Sequence, residues 1–454
     1  MFLGDQGRDA LIVKKIVTLQ ALPAIGPPSS IGEVFLGPFY YYLVAPFLFI
    51  FRLNPVGLAV GVALLSCIGL YSAYIIGKRT LPGKGAFYFF LLTTFSYELV
   101  RIARFSWNPN LLPFFAFITI YLLSRSCDID NKKWFYFSGL FGIFFGLSFQ
   151  LHHLAGLLVL PVAVYFILAL VRQKNFRLLL VPLVSFGGFL LTLVPLIIFE
   201  LRHQFLNTHN LISVFTQQNI VSSGPLYLRL YDINTSFIEF AFHFRFPPLL
   251  ALALTLGVIG LSTWKCAKKF HPFVAVVILS VVLYLFGFSR VNSSLIPHYY
   301  NPIYVCFYFL IAYIFATKKN IVFSFFSFIL ICLFVLRQAQ GYEFISQKGS
   351  FQDANPRLIG AFIASRAGKQ KINLTTYPTD FTSRDCYQYF IELNGGTVVD
   401  GSSAQVTDSM YVLCNKQPCR VINSDSWNVQ MFGAAKIDTM WNKDGIAIYK
   451  LKHK

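Results

Sequence analysis

Long apolar runs separated by short polar loops make up most of this chain. Runs such as residues 178–199 and 273–288 reach or approach the roughly 20 residues that span a bilayer as a helix. We predict ten transmembrane helices after residue 53. They are residues 55–77, 86–104, 110–125, 134–150, 154–171, 177–199, 247–263, 271–288, 299–316 and 320–337. The pattern predicts an all-α polytopic membrane protein.

The first 53 residues contain no clear spanning segment. Residues 8–20 have the pattern of a short amphipathic helix, with Leu11, Ile12, Ile16 and Leu19 on one side and Lys14 and Lys15 on the other. Residues 38–51 are rich in aromatic side chains and are interrupted by Pro46, which favours a helix lying in the membrane interface. We predict a first external loop, residues 1–53, that carries interfacial helices.

The composition changes again after residue 340. Residues 371–377, 410–414 and 446–451 resemble short strands, and residues 357–367 resemble a helix. We predict three parts: the loop 1–53, a membrane module 54–340 and a small external α/β domain 341–454. Cys414 and Cys419 flank a four-residue Asn-Lys-Gln-Pro turn, and both a disulfide and two reduced thiols fit this spacing.

The charged residues support this topology. Only 13% of the residues are charged, against about 25% in soluble domains. The net charge of +19 comes from short basic clusters between apolar runs, the pattern of cytoplasmic loops rather than of a nucleic-acid-binding surface. The clusters are Lys78, Arg79 and Lys84; Arg125, Lys132 and Lys133; Arg172, Lys174 and Arg177; Lys265, Lys268 and Lys269; and Lys318 and Lys319.

With these clusters in the cytoplasm, the loops 1–53, 98–110, 150–153, 200–246 and 289–298 and the tail are external. We predict a multi-pass protein of the plasma (inner) membrane whose candidate catalytic loops and C-terminal domain face outwards. An external start without a preceding helix is unusual. We therefore expect that a first membrane helix precedes this start and is absent from the sequence.

Ionisable side chains near membrane depth tend to be functional, and the external loops contain few of them. Asp5 and Asp9 lie four residues apart and share one face of a helix that starts here, although an N-cap role for Asp5 is the simpler alternative. Arg101 and Arg104 lie three apart, and their planar side chains suit phosphate; anchoring beside lipid headgroups is the alternative.

Three further positions have competing interpretations. His298 follows Pro297 and is a candidate contact to phosphate or sugar. Glu33 follows Gly32 in a loop and is a candidate second acid, with simple solvation as the alternative. The adjacent His152 and His153 cannot both face one metal ion from a helix, so polar packing at a helix end is preferred.

Signatures of nucleotide binding and of a serine nucleophile elbow are missing from the sequence. If the protein is an enzyme, its substrate is therefore an activated lipid rather than a soluble nucleotide sugar. A transporter or lipid flippase without covalent chemistry is the alternative function. The helix interiors are nearly free of charge and no internal repeat is evident, which makes transport the weaker hypothesis.

Three motifs resemble the external loops of GT-C type membrane glycosyltransferases, the superfamily of protein O-mannosyltransferases and lipid A aminoarabinose transferases. They are residues 5–10 (DQGRDA), residues 37–43 (GPFYYYL) and residues 104–110 (RFSWNPN). The likeness in topology extends over residues 1–337. The sequence departs from the family pattern at Gln6, which replaces an acid, at Gly37, which replaces a basic residue, and at Asn108 and Asn110, near a position where many relatives carry an acid.

The resemblance implies an inverting transfer of a sugar from a polyprenyl monophosphate to a glycan, lipid or protein acceptor. By position, Asp5 would be the general base, and Arg104, together with Arg101, would contact the donor phosphate. The remaining candidates are chosen because they lie in the predicted external loops: Asp9 and Glu33 as supporting acids or acceptor contacts, Arg8, Arg202, His298 and Tyr299 as donor contacts, and Trp107 and Asn108 as second-loop contacts. The family chemistry implies no cofactor and no nucleic-acid partner, and it leaves a divalent metal open.

Overall fold

The structure, a computed structural model, describes residues 2–29, 33–217, 224–316, 321–346, 353–377, 383–401, 403–414, 418–422, 424 and 426–454, except for the side chains of residues 215 and 217. The helices that precede residue 250 are α1 (Gly4–Val17), α2 (Phe39–Ile50), α3 (Val56–Thr80), α4 (Gly85–Thr94), α5 (Tyr97–Ile102), α6 (Leu112–Ser126), α7 (Trp134–Leu151), α8 (Val159–Gln173), α9 (Leu180–Arg202), α10 (Leu206–Gln217), α11 (Leu226–Phe242) and α12 (Pro248–Lys268). The later helices are α13 (Pro272–Ser289), α14 (Asn301–Phe315), α15 (Ile321–Ala339), α16 (Glu343–Ser346), α17 (Ala354–Ala367), α18 (Arg384–Leu393) and α19 (Trp427–Phe432). The strands are β1 (Lys371–Tyr377), β2 (Thr397–Val398), β3 (Ser409–Cys414), β4 (Ala435–Lys443) and β5 (Ile446–His453).

The predicted fold class, a helical multi-pass membrane protein with a small C-terminal sheet domain, is confirmed. Among the described residues, seven helices are long and apolar enough to cross a membrane. They are α3, α7, α8 with the turn before it, α9 with the turn before it, α12, α13 and α15. The segments predicted at 110–125 and 299–316 form the shorter helices α6 and α14. The total of ten crossings stays a prediction.

The predicted helix at 86–104 is broken in two. α4 ends at Thr94, and α5 begins at Tyr97 after the extended residue Ser96. The Ser96 hydroxyl accepts a hydrogen bond from the Leu99 amide, which satisfies one of the amides that a helix start leaves unpaired. A serine hydroxyl competes for backbone bonds in this way, and it turns the chain before the polar residues Glu98 and Arg101.

The stretch 200–246, which we predicted to be an external loop, contains the helices α10 and α11. The buried carboxylate of Glu200 accepts hydrogen bonds from the backbone amides of Asn207 at 3.0 Å and Thr208 at 2.9 Å. These amides belong to the first turn of α10, where anionic groups are stabilising. Glu200 therefore caps α10 and is not available to a substrate.

The chain forms two compact units. The first contains residues 1–22, 45–58 and 348–454, and the second contains residues 23–44 and 59–347. The predicted loop 1–53 is thus shared between both units, and the predicted three-part division stays a prediction. In the second unit, α14 forms the core: its residues 301–313 are all buried, and it packs against α4, α6, α12 and α13.

The first unit is built on a five-stranded sheet in the order β2-β1-β3-β5-β4. β1 runs parallel to β2 and β3, and β5 runs antiparallel to β3 and β4. Alternate residues of β3 enter different apolar clusters, Tyr411 and Leu413 on one face and Met410 and Val412 on the other. The predicted tail strands and helix are confirmed, and Cys414 and Cys419 are joined by a disulfide.

Helix α1 packs against α18 in this unit. The Lys14 ammonium lies 2.5 Å from a Glu392 carboxylate oxygen, and their side chains are only 9% and 18% exposed. The predicted division of α1 into an apolar and a lysine face is therefore wrong. Lys14 is buried with Val13 and Ile16, whereas Leu19 is 86% exposed, because a charged partner on α18 satisfies the buried lysine.

Candidate active site

Helix α5 carries an arginine that is fixed by a buried acid. The Glu98 side chain is only 5% exposed and accepts hydrogen bonds from Arg101 Nε at 3.0 Å and Nη2 at 2.7 Å. The Arg101 side chain remains 36% exposed. A buried carboxylate thus holds one edge of an accessible guanidinium, which is a preorganised arrangement for binding an anion.

Aromatic and imidazole rings from three loops meet in this unit. The His298 ring lies 4.6 Å from Trp107 and 4.5 Å from Tyr299, measured between ring centroids. His152, which directly follows α7, lies 5.7 Å from His298 and 5.6 Å from Tyr299. The fold therefore brings together three predicted site residues, Trp107, His298 and Tyr299, and adds His152.

The histidines of this cluster are held in their neutral forms. Burial, and to a lesser extent the positive charge of Arg101, lowers the pKa of His298 from 6.5 to about 4. Burial and the neighbouring His153 and His298 lower the pKa of His152 well below 6.5. Near neutral pH, both rings therefore carry no charge. Arg101, whose positive charge acts on His298 but which is not one of the rings, supplies the charge for a phosphate, and His298 suits a sugar hydroxyl.

Asparagine side chains brace the same loops. Asn108 donates a hydrogen bond to the Leu151 carbonyl at 2.6 Å, next to His152, and Asn301 donates one to the Pro109 carbonyl at 2.7 Å. Asn108 is only 5% exposed. Asn108 therefore positions the loop that carries Trp107, and its amide nitrogen is already used by the backbone.

Arg101 and Arg104 do not act as a pair on one helical face. α5 ends at Ile102, so Arg104 lies beyond it, and its guanidinium carbon stacks 3.5 Å from the Phe344 ring centroid. The expectation of a shared face is wrong because the helix stops between the two residues. Arg104 is exposed on its other sides and stays a candidate donor contact.

In the first unit, Arg8 joins the two predicted acids. Its guanidinium donates to Asp5 at 2.9 Å and to Asp9 at 2.8 Å and 3.0 Å. The Asp5 side chain is 45% exposed, whereas Asp9 is fully buried. The N-cap alternative for Asp5 is wrong: Leu3 is the N-cap of α1, and its amide donates to the Gln6 side chain at 3.0 Å. Asp5 thus keeps an accessible carboxylate, and Asp9 is structural.

Two other predicted residues are exposed on the surface of the second unit, one in a loop and one at a helix end. Glu33 is exposed, and its backbone carbonyl accepts a hydrogen bond from Asn210 at 3.0 Å. Arg202 is exposed at the end of α9. Neither belongs to the ring cluster of Trp107, His152, His298 and Tyr299.

The aromatic motif at residues 37–43 depends on a close approach. A Cβ atom at Gly37 would lie 2.1 Å from Gln150 Oε1. The Gln150 amide in turn donates to the Thr192 carbonyl at 2.8 Å, and its oxygen accepts from the Phe39 amide at 3.3 Å. Gly37, which replaces a basic residue of the family pattern, is therefore required by packing.

Sequence reasoning underestimated Glu98 and His152. A signal for both was available, because each lies at a helix end on the predicted external side, close to other candidates. In the part of the chain that the structure describes, no group of three or more His, Cys, Asp or Glu side chains is arranged to hold a metal ion.

Comparisons with known proteins agree with this architecture. Residues 36–199 match the family model described as dolichyl-phosphate-mannose-protein mannosyltransferase. The matched region includes Arg101, Arg104 and Trp107, begins after Asp5 and ends before His298. An uncharacterized protein of Aquifex aeolicus (strain VF5) is 28% identical over 233 residues, which are 50% of this chain and 45% of that protein. The match thus spans less than half the length of this curated relative.

Two crystal structures of ArnT from Cupriavidus metallidurans share the fold. The structure bound to undecaprenyl phosphate has a TM-score of 0.62 at 10% identity, over 99% of this chain and 94% of that chain. The apo structure has a TM-score of 0.61 at 11% identity, over 98% and 93%. Together with the family-model match, this likeness confirms the resemblance to GT-C type membrane glycosyltransferases.

Proposed function

We propose that this protein transfers a sugar from a polyprenyl-monophosphate-linked donor to a glycan, lipid or protein acceptor on the external side of the plasma membrane. The reaction inverts the anomeric centre. The observation that carries the proposal is Arg101, an accessible guanidinium fixed by the buried Glu98 within the region that matches mannosyltransferases. A lipid-linked phosphate is the leaving group that such an arginine suits.

The leaving group gains negative charge as the glycosidic bond breaks, while the sugar becomes oxocarbenium-like. A positive group that is already in place stabilises this charge without reorganisation. Arg101 meets this requirement because its Nε and Nη2 atoms are held by Glu98. Arg8, Arg104 and Arg202 are further candidate phosphate contacts, and Arg104 and Arg202 are exposed.

Asp5 is the proposed general base. A sugar hydroxyl is a weak nucleophile near neutral pH, and a carboxylate that takes its proton during bond formation accelerates the attack. The 45% exposure of Asp5 and its pairing with Arg8 support a fixed but accessible carboxylate. Asp9 is buried and supports the base by holding Arg8, and the exposed Glu33 is proposed as an acceptor contact.

The ring cluster is proposed to bind the sugar. Trp107 and Tyr299 offer apolar ring faces and edges. Neutral His298 can donate a hydrogen bond to a sugar hydroxyl through one ring nitrogen and accept one from a hydroxyl through the other. The family chemistry needs no cofactor, because the donor lipid carries the activated sugar.

The proposal is tested by incubating membranes that contain the full chain with a labelled sugar linked to undecaprenyl phosphate. We expect a covalent labelled product, and we expect Arg101→Gln to lower the rate by about 10²–10³-fold, the usual effect of removing one donor to a developing charge. Arg245→Gln is the matched control, because Arg245 is an exposed arginine outside the cluster. Movement of label across the membrane without a covalent product would support transport instead and would contradict the proposal.

A further inference from the structure

A second polar cavity lies at the far end of α6 from the ring cluster. Trp107 lies just before α6, whereas Ser124 and Arg125 are in its last turn and line the cavity. At 1.5 Å per residue, the 15 residues of α6 separate the two places by about 22 Å. The cavity has a volume of about 520 Å³, within the range of small-molecule sites.

The lining of this cavity is positively charged. Arg79, near the end of α3, and Arg125 both line it, and Arg79 is exposed. Asp128 contacts Arg125 at 3.0 Å and neutralises that one charge in part. With two arginines against one carboxylate, the cavity favours an anion. Thr80 and Ser124 belong to the same lining, but their hydroxyls already donate to the Ile76 and Tyr121 carbonyls, so the arginines carry the preference for an anion.

The start of α13 adds to this preference. Helix α13 begins at Pro272, and its first residues line the cavity together with the N-cap residue His271. The positive end of an 18-residue helix dipole thus meets the two arginines. The Nδ1 atom of His271 is buried and has no hydrogen-bond partner among the residues that the structure describes.

We propose that this cavity, formed by the ends of α3 and α6 and the start of α13, binds the phosphate group of an anionic ligand. The site is distinct from the sugar-transfer site and does not depend on its chemistry. Arginine forks and helix N-termini are both matched to phosphate oxygens.

The phosphate can belong to a membrane phospholipid or to a soluble molecule. α3 and α13 are both long and apolar enough to cross a bilayer, so their polar ends lie at the depth of lipid headgroups. Basic pockets between such helix ends bind anionic headgroups. Phosphatidic acid presents a phosphate monoester at this depth, and inorganic phosphate is the soluble counterpart, so these two probes separate the sources.

The test uses the full chain, purified and placed in phosphatidylcholine nanodiscs with or without phosphatidic acid. Native mass spectrometry measures the retained phosphatidic acid, and thermal unfolding measures stabilisation by inorganic phosphate. We compare Arg79→Gln with Lys78→Gln. Both residues are exposed neighbours on α3 with the same charge change, but Lys78 is outside the lining and stacks on Tyr74 instead.

We expect the wild-type chain and Lys78→Gln to bind the phosphate probe with equal affinity. Arg79→Gln is expected to bind the same probe about tenfold more weakly, because it loses one charge-assisted hydrogen bond. Arg79-dependent binding of inorganic phosphate without phosphatidic acid would support the site and assign it to a soluble ligand. Equal binding by all three proteins, or binding of neither probe, would overturn the proposal. His271→Asn gives an independent second variant if Arg79→Gln fails to fold.

Discussion

Arg8 holds two carboxylates whose access to solvent differs completely. Asp5 is 45% exposed, and Asp9 is fully buried, although both contact the same guanidinium. The energetic consequences of replacing them therefore differ. An exposed ion pair contributes little to stability, whereas a buried one is costly to break.

We predict that Asp5→Asn abolishes sugar transfer but leaves the thermal midpoint almost unchanged. Asp9→Asn is expected to lower the free energy of unfolding by on the order of 2 kcal/mol, because it weakens a buried charge-assisted hydrogen bond. Transfer assays and thermal unfolding of both variants measure the two effects. Full activity in Asp5→Asn would remove Asp5 from the role of base.

His298 gives a prediction about pH. Its pKa is about 4 in the folded protein and 6.5 in the unfolded chain, so the unfolded chain binds more protons between these values. The stability that neutral His298 contributes is complete above pH 6.5 and is lost as the pH falls towards 4. We expect His298→Asn to flatten the decline of the thermal midpoint in this window. An unchanged slope would mean that His298 is not the titrating group.

For single residues, the sequence indicated which side chains are candidates for the site better than it indicated which side chains pair with one another. Arg101, Trp107, His298 and Tyr299 were identifiable because they are polar or aromatic residues in loops on one predicted side. The pairing of acids with arginines depends on which acids are buried. Glu98 is buried against Arg101, and Asp9 is buried against Arg8. Burial is decided by residues far along the chain, which local patterns do not reveal.

At the scale of elements, the loop before α2 packs closely against the helix that carries Gln150, and Gly37 lies at the point of contact. We predict that Gly37→Ala lowers the free energy of unfolding by about 1–3 kcal/mol, because a Cβ atom would lie 2.1 Å from Gln150 Oε1. Gly257→Ala in α12 is the matched control. A Cβ atom there meets nothing within 4 Å, and alanine favours the helix. Thermal unfolding of both variants decides, and equal midpoints would show that the Gln150 side chain moves aside.

The apolar runs located the long helices well, since α3, α7, α9 and α13 lie close to the predicted segments. It failed where a single polar residue changes the backbone. Ser96 ends the predicted helix at 86–104, and Glu200 caps a helix inside a stretch that had the composition of a loop. Both depend on hydrogen bonds of one side chain, which an average over a window does not detect.

For the molecule as a whole, the pair Lys14–Glu392 joins the start of the chain to its C-terminal domain within the first unit. We predict that Glu392→Gln lowers the free energy of unfolding by about 3 kcal/mol, because it leaves a buried ammonium without a counter-charge. Replacing both residues by Met should recover much of the loss. Protease resistance of the C-terminal domain in the full chain measures the stability of each variant. A double variant that is as sensitive to protease as Glu392→Gln would contradict the explanation.

The packing of α1 on α18 also has a consequence for the order of events during synthesis. Lys14 and Glu392 are 378 residues apart, so α1 leaves the ribosome long before its partner exists. At about 5–20 residues per second, the wait is roughly 20–80 s. During that time, Lys14 has no counter-charge and the apolar side chains that α1 packs against α18 have no partner. Residues that are translated late complete the surroundings of residues that are translated much earlier, and premature termination anywhere before α18 leaves the helix that bears Asp5 without its partner.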